Sequence, residues 1–302
     1  MLVWMMRLAP LVVIIAASLW GVDGIVLRPF LYDLPVPLVV FIESSIVTLI
    51  LTPFFWRQCG AIRRMSPRDW LAFMGVAMFG GAIGTMAITK ALFYVNYVNL
   101  SIVVLIQKLQ PVFAITFAAI LLKERLSRSF FMWASIAVAG AYLMTFGLQM
   151  PKITATDKTA LAALFAMIAT VSFALSTVLS KLGLKTVPFK LATYVRFLLT
   201  SFILVIIVSS AGHLWHISDI SSKQGVVFLI IAFSTGGPAI FLYYYGLRRI
   251  TASVATICEL AFPLTAIILE YLIREHILSY VQWLGVLILF VSIIRVTRIR
   301  SY

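Results

Sequence analysis

Seven ionisable side chains interrupt the long apolar stretches of this chain: Asp23, Glu43, Lys90, Lys108, Arg196, Glu259 and Glu270. A charge in hydrocarbon costs a few kcal/mol on insertion scales, so such residues are kept where they meet a ligand, an ion or each other. Lys108 and Glu259 fall nearest the middle of their stretches. Asp23, Lys90 and Glu270 lie nearer one end, where a side chain can reach the interface, and Glu43 and Arg196 lie between. Opposite charges at similar depth suit a zwitterion. Lys108 would attract a carboxylate, while Glu259 would meet an ammonium or carry a proton. The alternative is a structural Lys108–Glu259 ion pair, or one with Lys90 or Asp23.

Two prolines sharpen the reading. Pro111 and Pro263 each sit inside an apolar stretch, where a proline frees the carbonyl four residues earlier and bends the helix. Those residues are Gln107 and Glu259. Gln107 and Gln110 share a face, and Glu259, Pro263, Ala266 and Glu270 form one stripe expected to face a cavity. Trp20, Asp23, Lys90 and Tyr94 join the candidate binding residues. Tyr97 and Tyr243-Tyr244-Tyr245 could line the same cavity or belong to an interfacial belt. Asn96 and Asn99 are equally ambiguous. Gly236-Gly237-Pro238 is a candidate bend or gate. Gly80 and Gly84 suit a close helix approach. Glu43 and Arg196 are candidates for a structural pair or for part of the cavity wall.

The elements that must hold these side chains follow from composition. Hydrophobic residues make up 63% of the 302 positions, charged residues 11%, and mean hydropathy is +1.08. Soluble chains run at about 45–50% apolar and about 25% charged. A soluble domain, a disordered chain and a fibrous repeat are all excluded. Ten stretches can cross a core of about 30 Å as helices. They fall at about 8–27, 36–56, 70–93, 98–122, 130–148, 159–181, 189–211, 225–245, 251–273 and 279–297. The short alternating strands of an outer-membrane barrel are absent. Arg7 and Ala16-Ala17-Ser18 imitate a signal peptide, but Trp20, Asp23 and the length of the run favour a retained helix.

Charge supports ten spans. With both termini cytoplasmic, sixteen of the 24 Lys and Arg fall on the inner side and five, Arg28 among them, on the outer side. That is the positive-inside bias. It also explains the net charge of +14 without nucleic acid, through cytoplasmic loops facing anionic lipid.

The chain also repeats itself. Ser101–Pro111 lies over Ser253–Pro263 at an offset of 152, and each is followed by an apolar run, a Glu (Glu124, Glu275) and a Leu-Ser pair. Further back the offset is 153, pairing Trp20-Gly21 with Phe173-Ala174 and Glu43 with Arg196. Five spans per half make the second half enter from the opposite side. The expected fold is all-α integral membrane: ten transmembrane helices as two inverted five-helix repeats, residues 1–150 and 151–302. Inverted repeats with broken helices are a construction of secondary transporters.

With Ser18-Leu19-Trp20-Gly21 early, Gln107-Lys108-Leu109-Gln110-Pro111 in span four, Leu122-Lys123-Glu124-Arg125-Leu126-Ser127 after it and Arg196-Phe197 in span seven, the chain resembles the EamA family of the drug/metabolite transporter superfamily. Span two departs from it, with Glu43 where that family often shows Arg. The resemblance implies a bacterial inner-membrane exporter of amino acids or related metabolites, working by alternating access. Its cavity would lie between spans one, three, four, six, eight and nine, and protons are a candidate coupling ion. A cationic-drug exporter and a lipid-linked-substrate flippase remain as alternatives.

An enzyme is not expected. His213, His216 and His276 fall in outer loops, and His213, His216 and Asp219 make at most a weak metal site, since structural zinc wants four ligands. No phosphate loop or nucleophile elbow is present. Cys59 and Cys258 offer no disulfide framework. No cofactor, metal or nucleic acid is called for; the expected partners are a small-molecule substrate and the bilayer.

Overall fold

A computed structural model describes residues 2–55, 59–94, 100–149, 157–274 and 279–299. Tyr97, Asn96, Asn99, Glu275 and His276 lie outside the described residues, as does the side chain of Glu270. The described chain is helical almost throughout and holds no strand. Ten helices are long and apolar enough to cross a membrane. They are α1 (Leu8–Leu31), α2 (Val36–Phe55), α3 (Pro67–Ala91), α4 (Leu105–Leu122) and α5 (Arg128–Phe146). The others are α6 (Ala160–Gly183), α7 (Phe189–Ser210), α8 (Ser222–Leu247), α9 (Ala252–Leu269) and α10 (Tyr280–Arg298). All ten expected spans are present. The first runs further than its apolar signal, because a wide turn over Asp23–Leu27 and a tight one over Arg28–Leu31 carry the helix onward.

Helix starts are set by short hydroxyl side chains. Ser66, Ser127, Ser221, Thr251 and Ser279 each accept a hydrogen bond from a backbone N–H in the first turn, satisfying a donor that the helix itself cannot. Two of these caps also tie the bundle together. Asp69, which closes the cap of α3, accepts from Thr186 Oγ1 in the α6–α7 connection. Gln224, which closes the cap of α8, donates to the Phe30 carbonyl oxygen at the end of α1. A third tie comes from Glu124, just after α4. Its carboxylate accepts from the backbone N–H groups of Ala252 and Ser253 and from the Ser253 hydroxyl. An anion there also suits the positive end of the α9 dipole.

The packing is pairwise. Helix α5 lies along α10, where a methyl group on Gly140 would come within 2.8 Å of the Leu289 backbone nitrogen. Helix α3 lies on α6, α2 on α7 and α1 on α8, while α4 contacts α6 and α9, and α1 contacts α9.

Four helices are irregular in the membrane interior. The span α4 is broken at Lys108-Leu109, between a segment Leu100–Gln107 that begins before it and a segment Gln110–Phe117. The span α9 is broken at Glu259-Leu260, between Ala252–Cys258 and a segment Ala261–Arg274 that runs beyond it. Pro111 and Pro263 stand in the first turns of the restarted segments, where a missing N–H costs nothing. Helices α3 and α8 widen by one residue per turn over Val76–Ile83 and Ala232–Gly236. Such bulges turn side chains that a regular helix would bury elsewhere towards the interior.

Candidate functional site

The break in α9 puts the Glu259 carboxylate at a crossing of helices. Its Oε2 accepts from Gln110 Nε2 at 2.9 Å, from the restarted half of α4. Its Oε1 accepts from the Tyr243 hydroxyl of α8 and, at 3.3 Å, from Thr177 Oγ1 of α6. Tyr243 and Thr177 are themselves 3.2 Å apart. The Trp20 ring of α1 packs on Tyr243 with centroids 5.3 Å apart. No cation lies within ion-pair distance of Glu259 among the described residues, so neutral donors solvate it. Tyr244 faces a different set: Ser180 Oγ at 3.1 Å and Arg196 Nη1, which donates to its hydroxyl over 3.4 Å.

A second cluster lies where α1 nears its end at Leu31. Arg28 donates from Nε to Asp23 Oδ2 at 2.7 Å and from Nη2 to Glu43 Oε2 at 3.3 Å. Thr235, in the widened part of α8, donates to Asp23 Oδ1 at 3.2 Å. In a low-dielectric interior such charges need this pairing, since desolvation outweighs an isolated contact.

Around the second cluster is a cavity of about 120 Å³. Its wall carries two carboxylates, Asp23 and Glu43, and two guanidiniums, Arg28 and Arg196, so its formal charges cancel. Hydroxyls of Ser44, Thr85, Thr200 and Thr235 and the face of Trp20 complete a mixed polar and aromatic lining. Among the described residues no group of three His, Cys, Asp or Glu could hold a metal ion.

Seven of the sequence candidates meet here. Gln110 bonds Glu259, Trp20 packs on Tyr243 and lines the cavity, and Asp23, Glu43, Arg196 and Gly236 line it too. Gly237 follows at the restart of α8 and packs on Val47. Others stand apart. Lys90 is exposed, 5.5 Å from the Phe165 ring, and Tyr94 stacks on the same ring at 5.6 Å. Gln107 is half-buried and holds no described side-chain bond to the cluster. Pro111 and Pro263 shape the breaks and are not among the residues lining the cavity.

Of the alternatives left open, two pairings do not form among the described residues, and Glu43 and Arg196 instead share the cavity wall. Glu43 is bound by Arg28, and no carboxylate lies within ion-pair distance of Arg196 among the described residues. Lys108 is buried, but it does not pair with Glu259. Lys108 stands in the break of α4, whereas Gln110, which meets Glu259, opens the restarted segment.

Sequence reasoning missed Arg28, Thr177, Thr200 and Thr235. The charge count places Arg28 on the outer side, beyond the first apolar stretch. It lies five residues after Asp23, the spacing a wide turn brings onto one face, and that spacing was the available signal. Thr177 belongs to a run of buried hydroxyls, Thr170, Ser176, Thr177 and Ser180, along α6. A hydroxyl stripe on an apolar helix is legible without a structure.

Ten apolar helices, two of them broken in the membrane interior around buried polar networks, define a multi-pass membrane transporter. The chain belongs to the EamA-like transporter family, whose model matches it twice, over residues 7–146 and 160–298. It is 41% identical over 290 residues to "Riboflavin transporter ImpX" of Fusobacterium nucleatum, covering 96% of this chain and 97% of that one. It is 27% identical over 243 residues to "Uncharacterized transporter sll1164" of Synechocystis, covering 78% and 68%. A solved crystal structure shares the fold at a TM-score of 0.73 and 16% identity, covering 95% of both chains.

Proposed function

We propose that this transporter carries riboflavin or a closely similar flavin by alternating access. The observation that carries the reading is the 41% identity, along nearly the whole of both chains, to a protein named as a riboflavin transporter. The site's chemistry agrees with it. A flavin is a flat heteroaromatic ring with neutral donors and acceptors on one edge and a polyhydroxyl tail. The cavity offers an aromatic face, hydroxyls and charges that cancel, which suits a polar but uncharged molecule.

An amino acid ranks second. That reading needs Lys108 and Glu259 to face one zwitterion, and neither of the two lines the cavity. Cationic drugs rank lower, because Arg28 and Arg196 line the cavity.

At about 120 Å³ the cavity is smaller than the roughly 300–1,000 Å³ of sites that enclose drug-sized ligands. Carrying a flavin therefore requires the cavity to widen, by movement of the two halves. We take those halves as residues 1–150 and 151–302, inverted with respect to each other. Both termini lie in the cytoplasm of a bacterium, the protein sits in the inner membrane, and protons are a candidate coupling ion through Glu259.

The test is counterflow in proteoliposomes, read by flavin fluorescence, with neutral amino acids and cationic drugs as competitors. Riboflavin exchange that amino acids do not inhibit is the expected result. Exchange of amino acids without flavin would replace the reading with the zwitterion one. No exchange by folded protein would overturn both.

A further inference from the structure

The cavity wall holds polar atoms that the fold leaves without partners. Glu43 binds Arg28 through Oε2 only, and its buried Oε1 accepts no hydrogen bond. Thr200 is 3% exposed, and its Oγ1 is likewise buried without a partner. Arg196 spends one N–H on the Tyr244 hydroxyl and meets no carboxylate among the described residues. All three residues line the same cavity. A buried polar atom without a partner opposes folding, and it is tolerated where a ligand supplies the partner.

The backbone around these groups is cut away to match. In the widened part of α3, a methyl on Gly81 would land on the Thr200 side chain, and one on Gly80 would strike Ser176 and come within 3.7 Å of Arg196 Nη2. The two glycines therefore clear the space in which Thr200 and Arg196 stand.

The set offers an acceptor in the Glu43 Oε1, a donor in the Arg196 guanidinium, and a hydroxyl able to do either. We propose that Glu43, Thr200 and Arg196 form the subsite that reads a heterocyclic imide edge, the C(=O)–NH–C(=O) sequence found on the flavin ring. Glu43 Oε1 accepts from the imide N–H. Arg196 and the Thr200 hydroxyl donate to the flanking carbonyl oxygens. Such an edge satisfies every unpartnered group at once, whereas a simple carboxylate would meet Glu43 with like charge. The subsite rests on the flavin reading and sets its specificity.

The test compares riboflavin with its N3-methyl analogue, which keeps the ring and tail but lacks the imide N–H. Each is measured by counterflow in wild type, Thr200→Val and Arg196→Gln, with thermal unfolding measured alongside. The wild type should discriminate against the methylated flavin by at least about tenfold, the size expected when a buried hydrogen bond is left unmade. Thr200→Val should weaken riboflavin exchange by a similar factor while unfolding no earlier than wild type, because it removes an unpartnered hydroxyl. A purely structural Thr200 would give unchanged exchange. Equal exchange of both flavins by the wild type, or wild-type riboflavin exchange by Thr200→Val, overturns the subsite and leaves the flavin reading standing. Absence of any flavin exchange by the folded wild type overturns the flavin reading and the subsite with it.

Discussion

Replacing Glu259 separates its structural share from its functional one. The carboxylate receives hydrogen bonds from Gln110, Thr177 and Tyr243, which reach it from α4, α6 and α8. Interhelical side-chain hydrogen bonds in membranes average about 0.6 kcal/mol and reach about 1.7. Three of them are then worth about 2 kcal/mol. Glu259→Gln loses little of that. An amide nitrogen at the Oε1 position faces two hydroxyls that can turn to accept, and one at the Oε2 position is met if the Gln110 amide flips. The variant also buries no charge. Glu259→Ala removes both acceptor oxygens and so all three hydrogen bonds, but Tyr243 and Thr177 lie 3.2 Å apart and can bond each other. The net cost is then about 1–2 kcal/mol.

Thermal unfolding in detergent should therefore place Glu259→Gln within about 2 °C of wild type and Glu259→Ala some 3–6 °C lower. Counterflow should fall at least about tenfold in both. If Glu259→Gln exchanges substrate like wild type, the carboxylate is structural and its role in transport is refuted. If Glu259→Ala is as stable as wild type, the energetic account of the network is wrong.

Three further substitutions test the scaffold. Glu124→Ala exposes the Ala252 and Ser253 N–H groups at the start of α9 and should cost about 1–2 kcal/mol, read as a lower unfolding temperature, while Glu124→Gln keeps an acceptor and should cost less. Arg28→Met leaves Asp23 and Glu43 buried without their cation, and loss of about 3–5 kcal/mol should appear as poor recovery of folded protein; an Arg28→Met/Asp23→Asn/Glu43→Gln triple variant should restore it. Lys108→Met removes a buried ammonium and should unfold no earlier than wild type while retaining flavin counterflow, whereas its loss of transport would revive the zwitterion reading.

The elements were legible because their physics is one-dimensional. Twenty apolar residues, a Ser or Thr before a run and a proline inside one each act within a few residues of themselves, so the ten spans and both breaks follow from the chain alone. Glu259 and Gln110 were legible for the same reason, since each breaks a local rule by being polar inside an apolar stretch. Pairings were not. That Glu43 meets Arg28 and not Arg196 depends on how far α1 continues past its apolar signal, and a wide turn after Asp23 decides that. Nor does any local signal tell that Lys108 and Glu259 form no ion pair, because that is set by how α4 and α9 cross. Thr200 and Thr235 escaped because a hydroxyl costs little in a membrane helix and is common there.

Under the proposed repeat, corresponding positions divide into two kinds. The caps are kept: Ser66 with Asp69 and Ser221 with Gln224, at an offset of 155, each close a cap and then reach into the other half, to Thr186 and to the Phe30 carbonyl. The polar interior is not kept. At an offset of 153, Asp23 stands over Ser176, Arg28 over Lys181 and Glu43 over Arg196. Arg28 holds two carboxylates, while Lys181 holds the backbone carbonyls of Leu247 and Arg248 at the end of α8. The Asp23–Thr235 bond has as its counterpart Ser176 packed on bare Gly80. Caps must agree because both halves have to turn the chain at the same depth. A substrate with one hydrogen-bonding edge has no two-fold symmetry, so two identical walls could not both bind it. The divergence of charge between otherwise matching halves is thus what a single, oriented binding site requires, and it falls where the unpartnered groups of the cavity lie.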